Sequence, residues 1–171
     1  MNNYHLIKNV TLPTFSDDKE HGTTQIEHII VSKYDIFVVE TKNMKGWIFG
    51  SANQKQWTQK IFKHTSKFQN PLNQNYKHLK TLEDLLLTGY KAKKDCIFSV
   101  ITFIGDSTFK TKMPDNLRFS RGGIEHIKSK RDVAFSKDEV ADIIEHIGSG
   151  RLERSFKTNR PHVKHVKEIA K

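Results

Sequence analysis

Glu27, Glu40 and Lys42 are residue types that together can hydrolyse a phosphodiester bond, and their spacing predicts that they meet on one hairpin. Two apolar runs, Gln25 to Ser32 and Ile36 to Thr41, are short and rich in Ile, Val and Phe, and Lys33-Tyr34-Asp35 joins them as a turn. Centring the turn between Lys33 and Tyr34 sets Val31 against Ile36, Ile29 against Val38, Glu27 against Glu40 and Gln25 against Lys42. Strand alternation then predicts all eight of these residues on one face, apolar at one end and charged at the other. Facing residues in an antiparallel pair have Cβ atoms about 4.5–5.5 Å apart, and like charges placed there repel. Lys42 offsets part of that repulsion. A shared divalent cation offsets it better, and oxygen ligands of this hardness suit Mg²⁺ or Mn²⁺. Two carboxylates and a backbone carbonyl leave ligand positions for a phosphate oxygen and an attacking water, which Lys42 could orient or deprotonate. An exposed sheet face bearing a Glu/Lys charge network would satisfy the same spacing.

Other elements must hold this hairpin in place. Gly46-Trp47-Ile48-Phe49-Gly50 and Gln56 to Phe62 half-alternate between turn formers, which predicts two further strands of the same antiparallel meander. Asn70-Pro71 opens a run in which Leu72, Tyr76, Leu79, Leu82 and Leu86 recur every three or four residues, so a helix is expected from about 71 to 88. Cys96 to Ile104 is almost continuously apolar, as a strand buried on both faces would be. A helix between two such strands predicts an α/β layer. Residues 107 to 131 read as polar loop, with a short strand expected at Ile124 to Ile127. Ser136 and Glu139 form a capping box that opens a helix through Val140, Ile143, Ile144 and Ile147 to Gly148. One domain over 1–150 is expected, followed by a basic tail over 151–171 with a helix after Pro161.

Composition narrows the class. The 171 residues carry 29 Lys and Arg against 19 Asp and Glu, a net charge of +10, with 36 % hydrophobic and 28 % charged residues. Collagen-like, coiled-coil and fully disordered chains do not fit those proportions. A surplus of positive charge at the surface attracts polyanions and makes their binding salt-dependent, although a basic surface without such a partner has the same composition. The single cysteine, Cys96, excludes an internal disulfide framework and is expected as a small hydrophobe at the start of a buried strand. No run of 18 apolar residues and no signal peptide is visible, so a reducing, cytoplasmic setting away from membranes is expected.

Thr23-Thr24-Gln25-Ile26-Glu27-His28, Phe37-Val38-Val39-Glu40-Thr41-Lys42-Asn43, Gly46-Trp47-Ile48, Gln56-Trp57 and Asn70-Pro71-Leu72-Asn73-Gln74-Asn75 occur in that order. This sequence resembles the nuclease-related domain, NERD, a family of the PD-(D/E)xK nuclease superfamily, from about Asn9 to Ile104. The resemblance implies a restriction-endonuclease-like α/β core, a mixed sheet containing an antiparallel meander and flanked by helices. It also implies a Mg²⁺- or Mn²⁺-dependent nuclease acting on nucleic acid, DNA before RNA. Glu27 then matches the first metal-binding acid, Glu40 and Lys42 the E-x-K pair, Gln74 the helix-borne polar residue, and Thr41 lends its carbonyl to the metal. Two departures stand out: Glu27 replaces the family's usual aspartate, and the helix with a Gly-x-x-Gly-Glu motif that normally precedes the first strand is expected to be absent. A shortened member or a fragment is the expectation.

Gln25, Asn43 and Asn75, with Arg118 and Arg121 beside Gly122-Gly123, are candidate nucleic-acid contacts. On local grounds alone Gln74 and Asn75 read as surface amides, and Arg118 and Arg121 as solubilising loop charges. Trp47 and Trp57 could stack on bases, but aromatic residues on strands usually pack in cores. The nine histidines show no zinc spacing, and His162 and His165 read as exposed tail residues. Two other readings compete with an enzyme: a catalytically weak nucleic-acid-binding or assembly module of the same fold, and a scaffold whose tail binds an acidic protein. A homo-oligomer is compatible with each.

Overall fold

The computed structural model describes residues 4–16, 19–89 and 94–152. The chain enters on a long hairpin, β1 (Tyr4–Ser16) and β2 (Lys19–Ser32), paired from Tyr4 opposite Ser32 to Ser16 opposite Lys19. β3 (Ile36–Asn43) then runs antiparallel to β2. β7 (Ile97–Ile104) lies parallel to β3, and β9 (Leu117–Phe119) lies parallel to β7, which completes a sheet of order β1-β2-β3-β7-β9. The tight turn before β3 is held by Ser32, whose Oγ accepts from the Tyr34 and Asp35 amides and donates to the Asp35 carbonyl.

The expected single meander divides into two sheets. β4 (Gly46–Phe49) and β5 (Gln56–Ile61) are antiparallel neighbours, as predicted, and β6 (His64–Gln69), for which no strand was expected, pairs antiparallel with β5; with β8 (Ser107–Phe109) they form a separate sheet of order β6-β5-β4-β8. β7 already occupies the free edge of β3, so the chain must leave the first sheet after Asn43. Gly46 turns it with φ 76°, where a Cβ would collide with the Lys60 backbone.

α1 (Pro71–Gly89) connects β6 towards β7, preceded by a 3-10 turn at Lys94–Cys96. Asn70 caps α1: its Oδ1 accepts from the Leu72 amide at 2.9 Å while its Nδ2 donates to the Ser51, Ala52 and Gln54 carbonyls. Leu82 and Leu86 bury against Ile29, Val31, Ile36 and Val38, joined by Val140, Ile143 and Ile147 of α3 (Lys137–Gly150). Burial of each such side chain stabilises by about 1.5–3 kcal/mol. The capping box at Ser136 and Glu139 forms as predicted. A second core joins the sheets through Ile48, Trp57, Ile101, Phe103 and Leu117.

Ile124 to Ile127, expected as a strand, is part of α2 (Arg121–Ser129). A four-residue apolar run fits either period. The helix is selected by packing, since Gly123 lets α2 approach Thr102 so closely that a Cβ would overlap its Oγ1, and Ile127 one turn later meets Phe37 and Val100. The basic-tail helix after Pro161 lies outside the described residues. Among the described residues, no helix is long and apolar enough to cross a membrane.

Asp35 gives a testable electrostatic consequence of this packing. Burial pushes its carboxyl from the ordinary 3.8 up to about 6, with Lys130 opposing and Asp132 reinforcing the shift. The native state therefore holds a proton that the unfolded chain has lost between about pH 4 and pH 6, and stability falls as pH rises through that window. Asp35→Asn should stabilise the protein at pH 7 by about 1 kcal/mol after solvent screening, and far less at pH 4. Urea unfolding at the two pH values measures the difference.

Candidate active site

Strand β3 delivers the site. The predicted register holds from Val31 opposite Ile36 to His28 opposite Val39, and the ladder ends there. Instead of a backbone pair at Glu27 and Glu40, Glu27 Oε2 accepts a hydrogen bond from the Thr41 amide at 3.1 Å. Gln25, expected opposite Lys42, pairs with Thr11 of β1 only.

The single alternating face is also corrected. Ile26 and Ile29 both have 0 % exposure in the core beneath α1, so the alternation of β2 changes phase between them. Across the β1 ladder, Lys8 faces His28 and Val10 faces Ile26, while the intervening Asn9 adopts φ 52°. This irregularity beside Glu27 ends regular pairing and leaves its carboxylate to bond with β3. No periodicity in the sequence could show it.

Glu40 lies on the α1 face with 1 % exposure. Its Oε1 accepts from Lys42 Nζ at 2.7 Å and from Gln74 Nε2 at 2.9 Å, and Gln74 Oε1 accepts from Lys42 Nζ at 2.9 Å. Glu40, Lys42 and Gln74 thus form a closed triangle in which each group fixes the other two. Asn70 and Pro71 set the start of α1, so the helix cap places Gln74 over β3. Glu40 Oε2 is buried and accepts no hydrogen bond among the described residues, and His78 Nδ1 stands 3.7 Å from it. Burial is the main cause that holds the Glu40 carboxyl above its ordinary 4.5. Lys42 opposes the rise, Glu27 reinforces it and Gln74 opposes it.

Sequence reasoning missed His78. It follows Gln74 by four residues, the helical spacing that stacks side chains on one face, and that was its available signal.

Other expected contacts fall elsewhere. Asn75 has 0 % exposure, and its Nδ2 donates to Ser99 Oγ at 2.8 Å and to the Val38 and Val100 carbonyls. It pins α1 to β3 and β7 and cannot meet a nucleic acid. Asn75→Leu should cost about 2–3 kcal/mol in urea unfolding by leaving those acceptors unpaired. Thr41, Thr102 and Arg118 share one register row, one residue out of phase with Glu40, Ile101 and Leu117. Alternation therefore puts Arg118 on the α2 face, opposite Glu40, and Arg121 is an exposed residue at the start of α2. Neither arginine joins the triangle. Asn43 is exposed at the end of β3, and Gln25 is half-buried on β2. Trp57 is buried, whereas Trp47 is 49 % exposed.

The donor chemistry near Glu40 fits a hard cation. Among the described residues Glu40 Oε2 accepts no hydrogen bond, Glu27 reaches the same stretch of β3, and the Thr41 carbonyl leaves the strand on the side of its amide, where the β2 ladder has ended. Among the described residues no group of three or more His, Cys, Asp or Glu side chains is placed to hold a metal. An ion here would rest on two carboxylates, a carbonyl and water, as Mg²⁺ sites commonly do.

A mixed sheet whose parallel-paired strand carries Glu-Thr-Lys under a helix-borne glutamine is the restriction-endonuclease-like frame. The family model for the nuclease-related domain matches residues 1–104, which include Glu27, Glu40, Lys42 and Gln74, and the chain belongs to that family. It is also similar to the uncharacterized protein pXO1-01 of Bacillus anthracis, at 36 % identity over 97 % of this chain and 74 % of the relative. No solved structure matches the chain.

Proposed function

We propose that this nuclease-related chain is a divalent-metal-dependent nuclease that hydrolyses nucleic-acid phosphodiesters, DNA before RNA. The observation that carries the reading is the buried Glu40, clamped by Lys42 and Gln74 through one oxygen while the other accepts no hydrogen bond. Glu27, Glu40 and the Thr41 carbonyl would hold Mg²⁺ or Mn²⁺. When bound, the ion supplies charge neutralisation at the phosphate and activation of a water. Lys42 Nζ, poised at the mouth of the triangle with 21 % of its side chain exposed, donates to the attacking water or to the phosphate oxygens as charge develops there. The water oxygen forms a bond to phosphorus and gives up a proton to bulk solvent, the bond from phosphorus to the sugar oxygen breaks, and that oxygen takes up a proton from bulk water. Gln74 is a positioning residue that fixes both Glu40 and Lys42.

The test is cleavage of supercoiled plasmid and of single-stranded DNA with Mg²⁺ or Mn²⁺. The proposal expects cutting that EDTA and Glu40→Ala both abolish, and cutting that survives either one overturns it. Among the described residues no group of three or more His, Cys, Asp or Glu side chains is placed to hold a metal, which favours a second reading, a binding module with weak or no catalysis. Metal-independent, salt-sensitive DNA binding without cleavage would identify it.

A further inference from the structure

The small sheet has an outer face that the site above does not use. Residues 41 to 82 contain eight lysines and no Asp or Glu, and this acid-free run includes β4, β5 and β6. The register places its charges. Lys60 of β5 lies beside Trp47 of β4, and two pairs along Lys67 of β6 lies beside Thr58, which faces Phe49. All of these residues are out of phase with Ile48 and Trp57, which point into the core. Lys110, just beyond β8, closes the row with its Nζ 4.5 Å from the Trp47 ring. Lys60, Lys67, Lys110 and Trp47 are all exposed, and Phe62 stands 92 % exposed at the tip of the β5–β6 hairpin.

We propose that this outer face binds a nucleic-acid strand, with phosphates on Lys60, Lys67 and Lys110 and a base stacked on Trp47. The proposal rests on the reading of the neighbouring carboxylates as a nuclease site. Charge complementarity selects the occupant, because a face with three lysines and no acid on β4, β5 or β6 repels basic partners and releases counterions only from a polyanion. The aromatic surface selects an unpaired base, since stacking on an indole needs an open π-face. The three strand spacings from β6 to β8 measure about 14 Å, enough for two or three phosphates of one strand. Chain connectivity aims the face at the chemistry. Strands β4, β5 and β6 of the sheet are inserted between Lys42 and Gln74, so the chain runs into the triangle around Glu40 at both ends of that insertion. A strand lying on the sheet is thereby delivered to the site by a rigid platform anchored on both sides.

The experiment measures fluorescence anisotropy of a labelled single-stranded oligonucleotide and its duplex, with the full chain in EDTA so that nothing is cut. Lys60→Glu/Lys67→Glu/Lys110→Glu should weaken binding at least about 100-fold at low salt and flatten the salt slope by about 2. Trp47→Ala should weaken single-strand binding about 10-fold and duplex binding less. Circular dichroism checks folding, and the triple Lys→Gln variant replaces the Glu version if that one fails to fold. Wild-type affinity in a folded triple variant, or no DNA binding by the wild type in EDTA, overturns the proposal. Lysine-dependent binding by a wild type that never cleaves supports this surface and removes only the nuclease reading. Cleavage and binding unchanged by the lysine substitutions remove only the surface.

Discussion

Glu40→Gln should yield a protein at least as stable as the wild type that cleaves DNA about 10³-fold more slowly or not at all. The two halves of that expectation have one cause. Burial holds the Glu40 carboxyl above its ordinary pKa despite Lys42 and Gln74, so the neutral form is better tolerated inside the fold than the charged one. Glutamine keeps the volume and an acceptor for Lys42 while removing the buried charge. An ion, however, needs that charge, and loss of a preorganised electrostatic partner typically costs 10²–10³ or more in rate. A structural role alone would predict the opposite pattern, with stability lost and activity falling only in proportion to unfolding. Thermal melts and plasmid cleavage on the same preparation separate the two.

Lys42→Met should destabilise the protein by about 3 kcal/mol at pH 8, because it leaves Glu40 buried with Gln74 as its one hydrogen-bond donor. The sign with pH follows from the raised Glu40 carboxyl. The native state binds a proton above the unfolded value of 4.5, so stability is regained as pH falls through the folded pKa. The defect should shrink at pH 5. Combining it with Glu40→Gln should recover most of the loss, since the second change removes the charge that the first left unpaired. Urea unfolding of the single and double variants supplies the cycle. Cleavage should be at least about 10³-fold slower than wild type in all three.

The parts of the fold that local pattern dictates were legible. The β2–β3 turn, its apolar register, α1 and the α3 capping box all follow from residue type at short range. What escaped depends on tertiary competition. β4 and β5 have the pattern of meander strands, but β7 claims the edge of β3 and pushes them into a second sheet. Ile124 to Ile127 is too short to show a period, and contact between Gly123 and Thr102 decides it. Within the site, Glu40 and Lys42 were legible as an E-x-K pair, whereas Gln74 reads on local grounds as a surface amide and was legible only through the family resemblance. The contact of Glu27 through the Thr41 amide was not, because it arises from an irregular strand at Asn9. Asn75 resembles Gln74 in sequence, yet one step around the helix turns it inward to the sheet. Arg118 and Arg121 illustrate the same limit for charge: a cation in a polar segment says nothing of which side of a sheet it occupies.

A crystal soaked in Mn²⁺ and recorded at the manganese edge interrogates the heart of the account. An anomalous peak within ligand distance of Glu40 Oε2, Glu27 and the Thr41 carbonyl, lost in Glu40→Gln, is the predicted result. A wild-type crystal with no peak there would contradict it.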